Sequence, residues 1–225
     1  MIKQFRNVIK ELYSKKKYIK VRKPYDGKTI KNESVLDFYM NKEYYRNERI
    51  AILKYLKPYN YFVYKKFLKK YKIEIEDFNN LTFDTIKQLQ DIYIEIDPIR
   101  VVVIILKELM VNKSLEQITE IILRSKIIDF FHFFNYIKKS LEKIEQMEKS
   151  YLTYEPSAEE IAADLTVFNQ FGAYGIIRGI NNNILEDEEY LKLPYSSIFS
   201  ILIWSKTERG YQERLMNIQS QKHKK

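Results

Sequence analysis

The chain has 225 residues, 45% of them hydrophobic, with a formal net charge of +9, two histidines and no cysteine. That length and apolar share suit one large or two small domains. The lack of cysteine excludes disulfides, thiolate nucleophiles and cysteine-held zinc or iron–sulfur, and the longest apolar run, Val101–Leu106, is far shorter than the roughly 20 residues of a membrane helix.

The charge is unevenly placed. Residues 1–31 hold eleven Lys or Arg against Glu11 and Asp26, and the remaining 28 basic and 28 acidic residues cancel. Residues 2–20 predict an amphipathic helix with Ile2, Phe5, Ile9, Leu12 and Ile19 on one side. Arg22-Lys23-Pro24-Tyr25-Asp26-Gly27 carries a turn signal, so residues 21–33 are expected to form an extended basic connector. No apolar stretch of signal-peptide type follows the basic start, and the expected protein is soluble, intracellular or particle-bound.

Ser34 is placed to cap a helix that ends before Pro58, and a second helix is predicted over about 59–71 with Lys65, Lys66, Lys69 and Lys70 as a local basic face. Thr82 caps a helix carrying Phe83, Ile86, Leu89, Tyr93 and Ile96 on one side. Asp97-Pro98 supplies an N-cap and a first-turn proline for the next, and this punctuation favours helix over buried strand for the β-branched run 101–105. Ser114-Leu-Glu-Gln117 is a capping box, followed by a long apolar repeat from Ile127 through Phe130, Phe134, Ile137, Leu141 and Ile144. A kink or split is expected at Arg124-Ser125-Lys126, where the apolar face shifts.

A further box, Ser157-Ala-Glu-Glu160, opens residues 157–180. Ala158, Ile161, Leu165, Phe168, Gly172, Gly175 and Gly179 alternate at spacings of 3 and 4, drawing one helical stripe whose second half lacks side chains. Two readings stay open: a helix through Gly179 whose bare face admits a neighbour, or a helix ending near Phe171 with a loop beyond. Glu186–Glu189 is an acidic patch, and Pro194 opens a last helix. Its first half, Ile198 to Trp204, is expected to be buried, and Tyr211, Leu215 and Ile218 continue a stripe along a protruding second half. The predicted architecture is all-α: an elongated multi-helix bundle with an extended basic N-terminal arm, divided into 1–33, 34–155 and 156–225.

The common catalytic spacings are absent: no Walker A loop, no G-x-G-x-x-G, no H-E-x-x-H, no G-x-S-x-G and no EF-hand loop. Asp129 and His132 stand three apart, as an acid/base pair or a surface contact. No catalytic residue, cofactor or metal site is expected. The best contact candidates are Lys15, Lys16, Lys17, Lys20, Arg22 and Lys23, which suit phosphates or an acidic neighbouring subunit. For a subunit interface they are Phe168, Gly172, Gly175, Gly179, Tyr211, Leu215 and Ile218.

The tail from Leu193 to Trp204, the stretch Glu208 to Leu215 and the segment FGAYGIIRGINNN resemble small helical virion and assembly proteins of tailed bacteriophages. The Lys-, Ile-, Asn- and Tyr-rich style is similar to that of the crAss-like group. The resemblance covers roughly the last 65 residues and implies a structural role without catalysis, such as a head-to-tail connector ring at the portal vertex. It implies assembly in the host cytoplasm and residence in the virion. Partners would be further copies, portal or tail components and packaged double-stranded DNA, with no membrane. The alternatives are a nucleic-acid-binding protein, using residues 3–31 and the lysines of 54–72, and an assembly chaperone.

Overall fold

Helix punctuation in the sequence sets most of the boundaries. The computed structural model describes residues 33–40, 53, 55–66, 69–92, 97–153, 172–180 and 186–223. In chain order these form α1 (Val35–Met40), β1 (Tyr61–Lys66), β2 (Lys69–Glu74), a 3-10 turn (Phe78–Asn80), α2 (Phe83–Gln90), α3 (Pro98–Leu109), α4 (Leu115–Arg124), α5 (Ile127–Leu152), α6 (Gly172–Arg178), α7 (Asp187–Lys192) and α8 (Tyr195–His223). The described chain is mostly helical, with one two-stranded antiparallel sheet. Two compact units are formed, one from residues 1–76 and 92–140 and the other from 77–91 and 141–225. The predicted basic helix and arm and the helix opened by Ser157 lie outside the described residues.

The predicted caps are made. Thr82 Oγ1 accepts from the Thr85 N–H at 3.3 Å, and Asp97 accepts from the Arg100 N–H at 3.1 Å with Pro98 in the first turn. Ser114 and Gln117 close the reciprocal box at 3.2 and 3.3 Å. Each such cap satisfies an N–H that the helix leaves unpaired, worth about 1 kcal/mol. The run Val101–Leu106 is helical and every residue in it is buried, so the middle of α3 is apolar on all sides.

The long helix divides where expected. Ser125 is extended (φ −70°, ψ 162°), and the break is fixed by a partner: Val35 N–H donates to Ser125 O and Ile127 N–H to Glu33 O, both at 2.9 Å. The starts of α1 and α5 thereby satisfy each other. Beyond the break α5 has 26 residues, about 39 Å at 1.5 Å per residue. The first unit's core gathers Val35 and Phe38, the α3 run, Ile118 and Ile122, and Phe130, Phe131, Phe133 and Phe134. Phe131 meets Phe38 at 6.1 Å, Phe130 at 5.3 Å and Phe134 at 5.8 Å, all edge to face.

The helix predicted over 59–71 is overturned. Tyr61–Lys66 and Lys69–Glu74 form an antiparallel ribbon. The run Tyr-Phe-Val-Tyr favours extended backbone and needs to bury one ring only; Phe62 is fully buried, 5.7 Å from Phe133.

The second unit repeats the joined helix starts. Phe83 N–H donates to Leu193 O and Tyr195 N–H to Leu81 O, both at 2.9 Å, so α2 and α8 begin back to back. Beside this joint the Glu148 carboxylate accepts from Lys87 Nζ at 2.8 Å, the Tyr195 hydroxyl at 2.9 Å and Gln90 Nε2 at 2.8 Å. The acidic patch is partly structural, since Asp187 is buried 3.6 Å from Arg178. Along α8, Ile198 and Phe199 are buried, but Trp204, expected inside, is 69% exposed. Its register explains this: Trp204 shares a face with Tyr211 and Ile218, seven and fourteen residues on, and that face is exposed.

The Tyr195 hydroxyl is held above the ordinary tyrosine range, first by burial and then by the charge and hydrogen bond of Glu148. Because the folded value is raised, its stabilising contribution is present in full below the unfolded value of about 10 and declines as pH rises beyond it. Denaturant midpoints between pH 8 and 11 should therefore fall more steeply for the natural protein than for Tyr195→Phe; equal slopes would contradict the assignment.

Candidate nucleic-acid interface

Lysines crowd the outer end of the β1–β2 ribbon. Its register sets Tyr61 opposite Glu74, Phe62 opposite Ile73, Val63 opposite Lys72, Tyr64 opposite Tyr71, Lys65 opposite Lys70 and Lys66 opposite Lys69. Two successive cross-strand pairs are therefore lysine against lysine. Side chains directly opposite in an antiparallel pair have Cβ atoms about 5 Å apart, and like charges there destabilise the sheet. Lys65, Lys69 and Lys70 are exposed and make no ion pair among the described residues.

The base of the ribbon is anchored firmly. Ile75 N–H donates to Asn60 O at 2.8 Å and Asn60 Nδ2 returns to Ile75 O at 3.0 Å. The Tyr59 ring lies between Tyr61 (5.2 Å) and His132 (4.3 Å), and Tyr59 N–H donates to His132 O at 3.0 Å. His132 also sets Nδ1 against the Lys57 carbonyl, so the histidine of the candidate acid/base pair is engaged in holding the ribbon. Lys72 Nζ stands 4.3 Å above the Tyr61 ring and 2.6 Å from Glu74. Hydrogen bonds from Lys72 and Asn60 hold the Glu74 carboxyl below its usual range. Midway, Tyr64 and Tyr71 stack at 5.3 Å; burial, and then Tyr71, raises the Tyr64 hydroxyl. A two-stranded ribbon is marginal alone, and here its inner half supplies the order while its outer half presents charge.

Between the ribbon and the corner joining α4 to α5 lies a cavity of about 350 Å³. Lys65, Lys70, Arg124 and Lys126 line it, with Tyr64 on the wall and Asp129 as the one acid. Arg124 also pairs with Glu120, one turn earlier on α4. Lysine ammonium groups and an arginine fork are suited to the oxygens of a phosphate. A two-stranded ribbon has the width that the major groove of B-DNA admits.

The predicted site residues are distributed differently. Lys15, Lys16, Lys17, Lys20, Arg22, Lys23 and Phe168 lie outside the described residues. Gly172 and Gly175 lie on α6, and Gly179 is in the turn that ends it, with its N–H 3.1 Å from Ile176 O. Of the two open readings, the loop is excluded over Gly172–Arg178, which is helical, while the preceding residues lie outside the described ones. Gly175 and Gly179 line, with Gly210 of α8, a groove of about 670 Å³, and among the described residues a side chain added at Gly179 would meet only carbonyls of α6. Tyr211 and Ile218 are exposed and Leu215 half-exposed on α8, and none of them lines that groove. The ribbon escaped a helical reading of the sequence, yet it left a signal: Tyr64-Lys65-Lys66 and Lys69-Lys70-Tyr71 mirror each other about residues 67 and 68, as a hairpin register requires.

Lys70→Glu converts one like-charge pair into an opposite pair and should stabilise the protein by about 0.5 kcal/mol, read as a higher urea midpoint. A lower midpoint would show that the lysines do not repel in the free protein. No known protein family, curated protein or solved structure matches this chain.

Proposed function

We propose that this protein works by binding and not by catalysis, and that its ribbon sets lysines against the phosphate backbone of double-stranded DNA. The observation that carries this is the register of two successive lysine–lysine cross-strand pairs, an arrangement that costs stability in the free protein and is offset by a polyanion. The basic residues Lys15, Lys16, Lys17, Lys20, Arg22 and Lys23 would add to the same attraction. The resemblance of the last third of the chain supplies a setting, in which the DNA is that packaged by a tailed bacteriophage. Binding to duplex DNA should weaken steeply with salt, and Lys65→Ala/Lys69→Ala/Lys70→Ala should lower the slope of log K against log salt by about 3. Salt-independent binding, or no change in the triple variant, would refute the proposal.

A second reading, assembly as a connector-type subunit of the virion, is favoured by the exposed face of α8. Trp204, Tyr211 and Ile218 are each more than half exposed and recur every seven residues, a spacing that suits packing against another helix. Among the described residues no helix is long and apolar enough to cross a membrane. Native mass measurement should find oligomers that Tyr211→Glu/Ile218→Glu converts to monomer. A natural protein monomeric at every concentration and absent from particles would count against this reading.

A further inference from the structure

We infer that the cavity between the ribbon and the α4–α5 corner seats one backbone phosphate of the bound nucleic acid, gripping the strand between the two elements. This rests on the nucleic-acid reading above and names the place where that contact is tightest.

The argument begins with the ribbon's faces. Lys65 and Lys70 are a directly opposed pair, so both emerge on the same face, which they share with Val63 and Lys72. Lys69 belongs to the other face and does not line the cavity. Across from Lys65 and Lys70 stand Arg124 at the end of α4 and Lys126 just before α5. Three segments thus bring four cationic residues around about 350 Å³, with Asp129 the one acid on the lining. A phosphodiester presents two non-bridging oxygens that share one negative charge, a chemistry matched to ammonium donors on one side and a guanidinium fork on the other.

The corner is fixed by the backbone before any ligand arrives. Val35 N–H donates to Ser125 O and Ile127 N–H to Glu33 O, so the chain on both sides of Lys126 is held by the residues leading into α1. Arg124 is the adjustable part. Its side chain is 68% exposed and paired with Glu120, a weak surface contact that a phosphate can replace. Asp129 works against an anion and offsets part of the positive charge of the lining.

A phosphate ester can belong to a polynucleotide or to a free nucleotide, and the test separates them. The full chain is titrated with a 20-base-pair duplex by fluorescence anisotropy across a salt series. Arg124→Ala should weaken binding about tenfold and lower the salt slope by about one. Asp129→Asn should tighten it, and by more than Glu145→Gln, which makes the same charge change at an exposed position distant in sequence. Adenosine monophosphate, added as competitor, should displace the duplex only at concentrations where inorganic phosphate does. If it binds without DNA, far more tightly than inorganic phosphate and in an Arg124-dependent way, the cavity is a nucleotide site and the inference is overturned. Should Arg124→Ala leave affinity and slope unchanged while the triple lysine variant loses binding, the cavity is not used although the ribbon is. If the natural protein binds no duplex even at low salt, both readings fall. Arg124 is a surface residue, so the variant's circular dichroism and melting point should match the natural protein's.

Discussion

The first amide groups of a helix have no carbonyl behind them, and in this protein helices answer that need for one another. α1 and α5 exchange one backbone hydrogen bond each way at 2.9 Å, as do α2 and α8. In each joint the residues before the two helices form an isolated bridge, Ser34 with Lys126 and Thr82 with Pro194. Much follows from the first joint. It ends α4, starts α5 and fixes the corner at Lys126. One turn further along α5, His132 and Asn135 capture the chain that leads into the ribbon: Asn135 Nδ2 reaches the carbonyls of Leu53 and Leu56, both at 3.0 Å, and His132 stacks on Tyr59. One helix therefore locates both walls of the cationic cavity.

The polar groups divide between holding and presenting. Glu148 gathers Lys87, Gln90 and Tyr195 within the second unit, where its lone pairs are well matched by donors. His132, Asn135 and Asn60 satisfy carbonyls at the foot of the ribbon. Lys65, Lys69 and Lys70 lack such arrangements among the described residues, and the contrast within one hairpin separates polar groups that hold the structure from charge left at its surface.

What could be read from the sequence was what is decided locally. Thr82, Asp97-Pro98 and Ser114-Gln117 announce helix starts because the capping atoms lie within three residues of their targets. The break near Ser125 was legible as a shift of the apolar face, although its cause, the residues before α1, was not. The helical expectation fails because tyrosine and lysine fit a helix surface as readily as a strand, and only pairing between the two strands reveals the mirror order. Trp204 was assigned inward from the apolar run around it, whereas helical register turns it outward. The cavity was invisible for a plainer reason: its cations come from positions some sixty residues apart, and nothing in the chain's local pattern connects them. The basic segment at the start and Phe168 lie outside what the structure describes.

The two helix joints bear on how the molecule is made. The strip that includes Glu33 waits for Ile127, and Leu81 waits for Tyr195, so neither unit can close until distant parts of the chain have left the ribosome. Residues 77–91, emerging in the middle of one unit, belong to the other. Such interleaving carries a large loop-closure entropy and slows folding. During synthesis the early helices must remain open, their apolar faces uncovered, which gives chaperones a longer interval in which to engage the nascent protein.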